Sequence, residues 1–107
     1  MTVLVTARFA IDPNRLETVA RENSETLHRI RQSAKDHGLI SHRFYGNDEG
    51  VLVVDHWPDE ESFRRFFAET SDIGDLMGKS GATGEPAISF YRLLDVDDAV
   101  APTATIA

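Results

Sequence analysis

The stretch VLVVDHWPDEESFRRFF, residues 51–67, changes its hydrophobic period at Pro58. Before the proline, Val51, Leu52, Val53 and Val54 form a β-branched and apolar run that ends on Trp57, as a strand does. After it, Asp59, Glu60 and Glu61 stand where a helix dipole favours acids, and Phe63, Phe66 and Phe67 recur at helical spacing. A strand therefore runs straight into an amphipathic helix, with the chain's one tryptophan on the joint. That ring either packs the joint or lines a site beside it. In both cases a buried indole N–H needs an acceptor.

Upstream, NDEG at 47–50 reads as a turn and LISHRFYG at 39–46 as the strand it folds back, which makes residues 39–57 a hairpin. VLVTARFAI at 3–11 is a first strand, followed by Asp12 as a helix cap and Pro13 in the first turn. Leu16, Val19, Ala20, Leu27, Ile30 and Ala34 then trace one helical stripe from residue 14 to about 37, and Gly38 ends it. A short helix over 72–79 offers Ile73, Leu76 and Met77 for burial, SGATGEP is loop, and AISFYRLLDV at 87–96 is the last strand. The order β-α-β-β-α-β predicts an α+β, ferredoxin-like domain: a four-stranded antiparallel sheet with helices on one face. One domain fills 1–96, and 97–107 is expected to be a flexible tail without periodicity.

With 107 residues, 41% hydrophobic and 27% charged, the chain has the make-up of a single folded globule. Its formal charge of −7 repels a polyanion, and no basic stripe offsets that, so no nucleic-acid partner is expected. The apolar runs are too short to span a bilayer, and MTVLVTARF has no basic start or cleavage site, so a cytoplasmic location without membrane contact is expected. The absence of cysteine removes disulfides, thiolate catalysis and thiolate-held metals.

The strands alternate poorly between apolar and polar residues. Val51 and Val53 oppose Leu52 and Val54, Ile88 and Phe90 oppose Tyr91 and Leu93, and Val3, Val5 and Phe9 oppose Leu4 and Ala10. Two helices cover only one face of such a sheet. Several large side chains left in water on the other face would each forgo about 1.5–3 kcal/mol of burial. A homodimer packed through its sheet faces resolves this. The alternative is that the tail or residues 70–86 cover the face within one chain.

A strand ending in an acid, one residue and Trp (Asp55, Trp57), then an acidic helix start (Glu60, Glu61) and Phe63, resembles the antibiotic biosynthesis monooxygenases of the dimeric α+β barrel superfamily. The resemblance covers about residues 3–94. It implies a dimeric α+β barrel and a cofactor-independent monooxygenase, with no cofactor and no metal, acting on an aromatic, polyketide-like phenol. The haem-degrading branch carries Asn, Trp and His where this chain has Ala7, Phe66 and Leu76, so haem cleavage does not follow.

Among single residues, Asn23 falls on the apolar stripe of the first helix and must be hydrogen-bonded, either to its surroundings or to a substrate oxygen. His42 and His56 lie on paired strands and could approach each other; His28 and His37 receive no function, although His37 suits a helix C-terminus. Tyr45 and Tyr91 are strand phenols fit for an interface or for a substrate phenolate. Arg8, Arg43 and Arg92 need acids such as Asp55, an anionic ligand or a wet opening. Gly78-Lys79-Ser80 is not a phosphate loop, since Ile73 stands where that motif requires glycine.

The implied site has Asn23 as oxyanion donor and His42 or Tyr91 as proton relay, with Trp57, Phe63, Phe66 and Phe67 as an aromatic wall for the substrate. The competing possibility is a non-catalytic dimeric module that binds a small ligand or is purely structural. If the phenylalanines and Leu27 fill the space between helices and sheet, no substrate fits and that possibility stands.

Overall fold

In the computed structural model, which describes residues 2–98 and 100, the chain runs β1 (Val3–Phe9), α1 (Pro13–Glu22), α2 (Ser24–Asp36), β2 (Ser41–Asn47), β3 (Gly50–Trp57), α3 (Glu60–Glu69), α4 (Asp72–Lys79) and β4 (Ala87–Arg92). The strands form one antiparallel sheet in the order β2-β3-β1-β4. This is the ferredoxin-like α+β arrangement that the element order predicts. Of the expected tail, residues 99 and 101–107 lie outside the described residues.

The hairpin sets the register. Asn47 pairs with Gly50 across a two-residue loop, and every further pair of β2 and β3 follows from that closure, from Gly46 opposite Val51 to Ser41 opposite His56. Gly50 has φ +139°, and a Cβ there would sit 2.4 Å from the Phe9 carbonyl oxygen, so no other residue fits the turn as built.

The stripe read as one helix over 14–37 is two helices. Asn23, at φ −127° and ψ 45°, leaves the helical region and serves as the C-cap of α1 and the N-cap of α2. A one-residue break barely disturbs the phase of the stripe, so Leu16 and Val19 on α1 still bury on the same side as Ala34 on α2. The last strand is also shorter than 87–96. It ends at Arg92 because Arg92 pairs with Val3, the first residue of β1, and Leu93 beyond it is 88% exposed.

All four helices pack on one face. Leu16, Val19, Leu76 and Met77 join Ala7, Phe9, Val51 and Val53 in one cluster. Ala34, Phe63 and Phe66 join Val5 and Trp57 in a second. The alternation of side chains sends Leu4, Thr6 and Arg8 of β1, Leu52, Val54 and His56 of β3, Tyr45 of β2 and Tyr91 of β4 to the opposite, helix-free face. That face is amphipathic rather than wholly apolar. Among the described residues, no helix is long and apolar enough to cross a membrane.

Candidate functional site

Asp55 and Trp57 are two residues apart on β3 and therefore share its helix-facing side. Trp57 is fully buried, in ring contact with Phe63 at 5.8 Å and Phe66 at 5.2 Å. Its indole Nε1–H donates to Asp55 Oδ2 at 3.1 Å. This locks a carboxylate that is only 6% exposed. The other carboxylate oxygen, Oδ1, lies 2.6 Å from His42 Nδ1 on the neighbouring strand. A carboxylate only accepts, so Nδ1 carries a proton and donates it; in the neutral imidazole the lone pair is then on His42 Nε2. The imidazole is steadied further by Phe44, edge-on at 4.8 Å. Trp57, Asp55 and His42 thus form a chain from the core to a ring about one-third exposed.

His42 and Asp55 border a cavity of about 510 Å³ between the sheet and α2, α3 and α4, a size suited to a small organic ligand. Phe63, Phe66 and Phe67 form the α3 wall; Phe63 and Phe67 stack at 5.6 Å. Leu27, Ile30 and Ala34 supply the α2 wall, and Ile73, Leu76 and Met77 the α4 wall. The phenylalanines and Leu27 line the space rather than fill it. Arg31 and Lys35, on exposed positions of α2, stand at its margin.

The structure gathers His42, Phe63, Phe66 and Phe67 at this cavity. It places Trp57 behind Asp55, in the core. Asn23 is not among the cavity-lining residues: its Nδ2 donates to the Val19 carbonyl at 2.8 Å and its Oδ1 accepts from Lys79 Nζ at 3.0 Å. Tyr91, 52% exposed, lies on the helix-free face. His56 is on that face too, bonded through Nδ1 to Ser41 Oγ at 3.0 Å, so the two strand histidines point to opposite sides of the sheet and do not meet. Nor does Asp55 meet Arg8, which lies on the helix-free face. Arg8 instead lies 4.0 Å from Glu49.

Asp55 is the residue that sequence reasoning did not put forward as a site group. The signal was present in the hairpin: counting back from the Asn47–Gly50 pair sets residue 42 opposite residue 55. Among the described residues, no group of three or more His, Cys, Asp or Glu is placed to hold a metal ion.

No family model matches the chain, and no curated protein matches it. Solved structures do. SnoaB, a cofactor-independent oxygenase from Streptomyces nogalater, superposes with a TM-score of 0.61 at 15% identity over 92% of this chain and 98% of its own. The monooxygenase from the gene ActVA-Orf6 of Streptomyces coelicolor, solved with nanaomycin D, gives 0.62 at 19% over 95% of this chain and 92% of its own. A conserved protein from Methanosarcina mazei Go1 gives 0.62 at 18% over 86% and 92%. At these identities the likeness is one of fold. The chain has the fold of the antibiotic biosynthesis monooxygenases, as its Asp55–Trp57 motif suggested.

Proposed function

We propose that the protein is a cytoplasmic, homodimeric, cofactor-independent monooxygenase of aromatic phenols, and that the cavity bordered by His42 is its site. The observation that carries this is the 2.6 Å contact of His42 Nδ1 with a buried carboxylate at the edge of an aromatic-walled space. An imidazole fixed in one tautomer, with Nε2 available, is the arrangement a general base requires. The fold shared with SnoaB and ActVA-Orf6 agrees with it.

In this reading the rings of the substrate lie along Phe63, Phe66 and Phe67, and His42 Nε2 takes a proton from the phenol or from the activated methylene beside it. Asp55 steadies the imidazolium that forms. The substrate carbanion supplies the electrons to dioxygen. A carbon–oxygen bond forms, the hydroperoxide loses water across its O–O bond, and a methylene has become a carbonyl: CH2 and O2 give C=O and H2O, with no outside reductant. The apolar walls keep bulk water from the carbanion. Asn23 and Tyr91 have no part in this scheme, because they lie away from the cavity.

Oxygen uptake with anthrone tests the proposal. Wild-type protein should consume one O2 per anthraquinone formed. His42→Gln should lower the rate about 100-fold or more, as loss of a general base does, while anthrone binding under argon is retained. Equal turnover by His42→Gln would remove His42 from the chemistry. No uptake by the wild type with any phenolic anthrone or quinol would favour the ligand-binding module of the same fold.

A further inference from the structure

Three side chains in a row tie α2 to the corner between α3 and α4. Arg29, Ser33 and the C-cap His37 follow one another at four-residue steps and so share a face. Arg29 donates to Asp72 from Nε and Nη2, both at 3.1 Å. Ser33 Oγ lies 2.7 Å from Thr70 Oγ1, and His37 Nε2 lies 3.1 Å from Glu69 Oε1. The side of α2 that borders the cavity has no such ties. Leu27 and Ile30 are half-buried, and Ala34 is the one buried residue of the helix. Arg31 and Lys35 bond to no other element among the described residues. A helix that roofs an open space forgoes the apolar contacts a filled core would give it, so polar links hold it down.

The backbone leaves the helical region at both ends of α2. Asn23 breaks the helix at its start. Gly38, at φ +100°, turns the chain past its end, before the Ile40 N–H bonds to the His56 carbonyl of β3 at 2.9 Å. We infer that α2 is a hinged cover of the cavity, pivoting at Asn23 and Gly38 and latched to the α3–α4 corner by Arg29, Ser33 and His37. The inference rests on the reading of this cavity as the ligand site, and it supplies the regulation of that site: ligand passes when the latch opens. Two of the three links carry charge. The Arg29–Asp72 pair weakens with salt. His37 serves both the Ser33 carbonyl and Glu69 only as imidazolium; when neutral, its Nδ1–H still serves Ser33 and the Glu69 link is lost. Of the charged groups facing it from α3, Glu69 favours the imidazolium and Arg65 opposes it. The latch is therefore tightest in mild acid at low salt, and it loosens as pH or salt rises.

A reversible lock tests this. The chain has no cysteine, and the hydroxyl oxygens of Ser33 and Thr70 are close enough for sulfurs in their places to bond. Ser33→Cys/Thr70→Cys can thus be oxidised to fasten the latch and reduced to free it. The readouts are hydrogen exchange of the α2 amides without ligand, and stopped-flow binding and release of anthrone under argon. In the wild type, residues 24–36 should exchange as one block, faster than α3 and the sheet. Arg29→Gln, at an exposed position, should speed that block about threefold, as loss of a surface ion pair does. It should raise the anthrone on- and off-rates together and leave Kd nearly unchanged. The oxidised cysteine pair should slow both rates about tenfold or more, and reduction should restore them. Between about pH 5.5 and 8, wild-type rates should rise while those of His37→Gln stay level. Exchange of α2 only together with α3, anthrone rates that ignore the oxidised lock, or a pH response that survives in His37→Gln would each overturn the cover and leave the cavity as the site. Should anthrone not bind, the ligand-site reading falls, and the hydrogen exchange of α2 alone decides the cover.

Discussion

The proton on His42 Nδ1 is held there by Asp55, and this gives the carboxylate a role separable from its packing. Asparagine at position 55 can still accept the Trp57 N–H through its carbonyl oxygen. Its amide then presents N–H to His42 Nδ1, which must become the acceptor and push the proton to Nε2. Asp55→Asn is therefore expected to stay folded and bind aromatic ligand, but to turn over 100-fold or more slower, on the order seen when a base is held in the wrong tautomer. A nitrogen-resolved NMR spectrum of the imidazole would show the exchange of protonated nitrogen. Asp55→Ala is a different lesion. It strands the buried Trp57 N–H and should cost about 1–3 kcal/mol in urea unfolding. Neither the 2.6 Å contact nor Asp55 itself could be read from residue types alone. A histidine and an acid thirteen positions apart become neighbours only through the hairpin register, and strand pairing taken without its register drew His42 and His56 together instead.

At the scale of single elements, the Asp12 cap of α1 was legible, whereas Asp59, which the sequence places among the first-turn acids, is the N-cap of α3. Asp59 caps α3, accepting from the Ser62 backbone N–H at 2.7 Å, and that bond holds its carboxyl below the ordinary carboxylate value. A depressed carboxyl contributes stability that is present above its ordinary value, about 3.9, and is lost as pH falls through the lowered one. The difference in Tm between wild type and Asp59→Ala should thus be full at neutral pH and vanish in strong acid. His37, which caps α2, behaves in the opposite sense. Its Nδ1 faces the Ser33 carbonyl at 2.8 Å and its Nε2 faces Glu69 at 3.1 Å, so only the imidazolium satisfies both acceptors. The Ser33 carbonyl is the main cause of its raised pKa. Its contribution is full below about 6.5 and is lost as pH rises through the raised value. Melting curves of His37→Ala against wild type should accordingly diverge in mild acid and converge in alkali. The break at Asn23 was not legible, because two helices interrupted by one residue keep nearly the same apolar phase as one. The early end of β4 was hidden for a related reason: Leu93 and Leu94 continue the strand composition past the point where β1 has any residue left to pair.

For the whole molecule, sheet order and helix placement followed from hydrophobic period and turn residues, whereas the character of the helix-free face did not. Leu4, Leu52 and Val54 give that face an apolar centre, and Tyr45 and Tyr91 remain 47% and 52% exposed around it. Arg8 and His56 lie among them, so the pairing of two sheets that we propose is a mixed interface rather than a second core. Light scattering at micromolar concentration should give twice the chain mass, and Leu52→Glu should halve it while leaving the far-ultraviolet circular dichroism unchanged. A wild-type monomer would remove the dimer from the proposal without touching the helix-side cavity. Which side of the sheet takes the ligand is the more fundamental question. It is answered by backbone amide NMR of the protein titrated with anthrone under argon. Shifts centred on Ile30, Ala34, His42, Phe63 and Phe67 are predicted; shifts centred instead on Leu4, Leu52 and Val54 of the opposite face would contradict the site proposed for this protein.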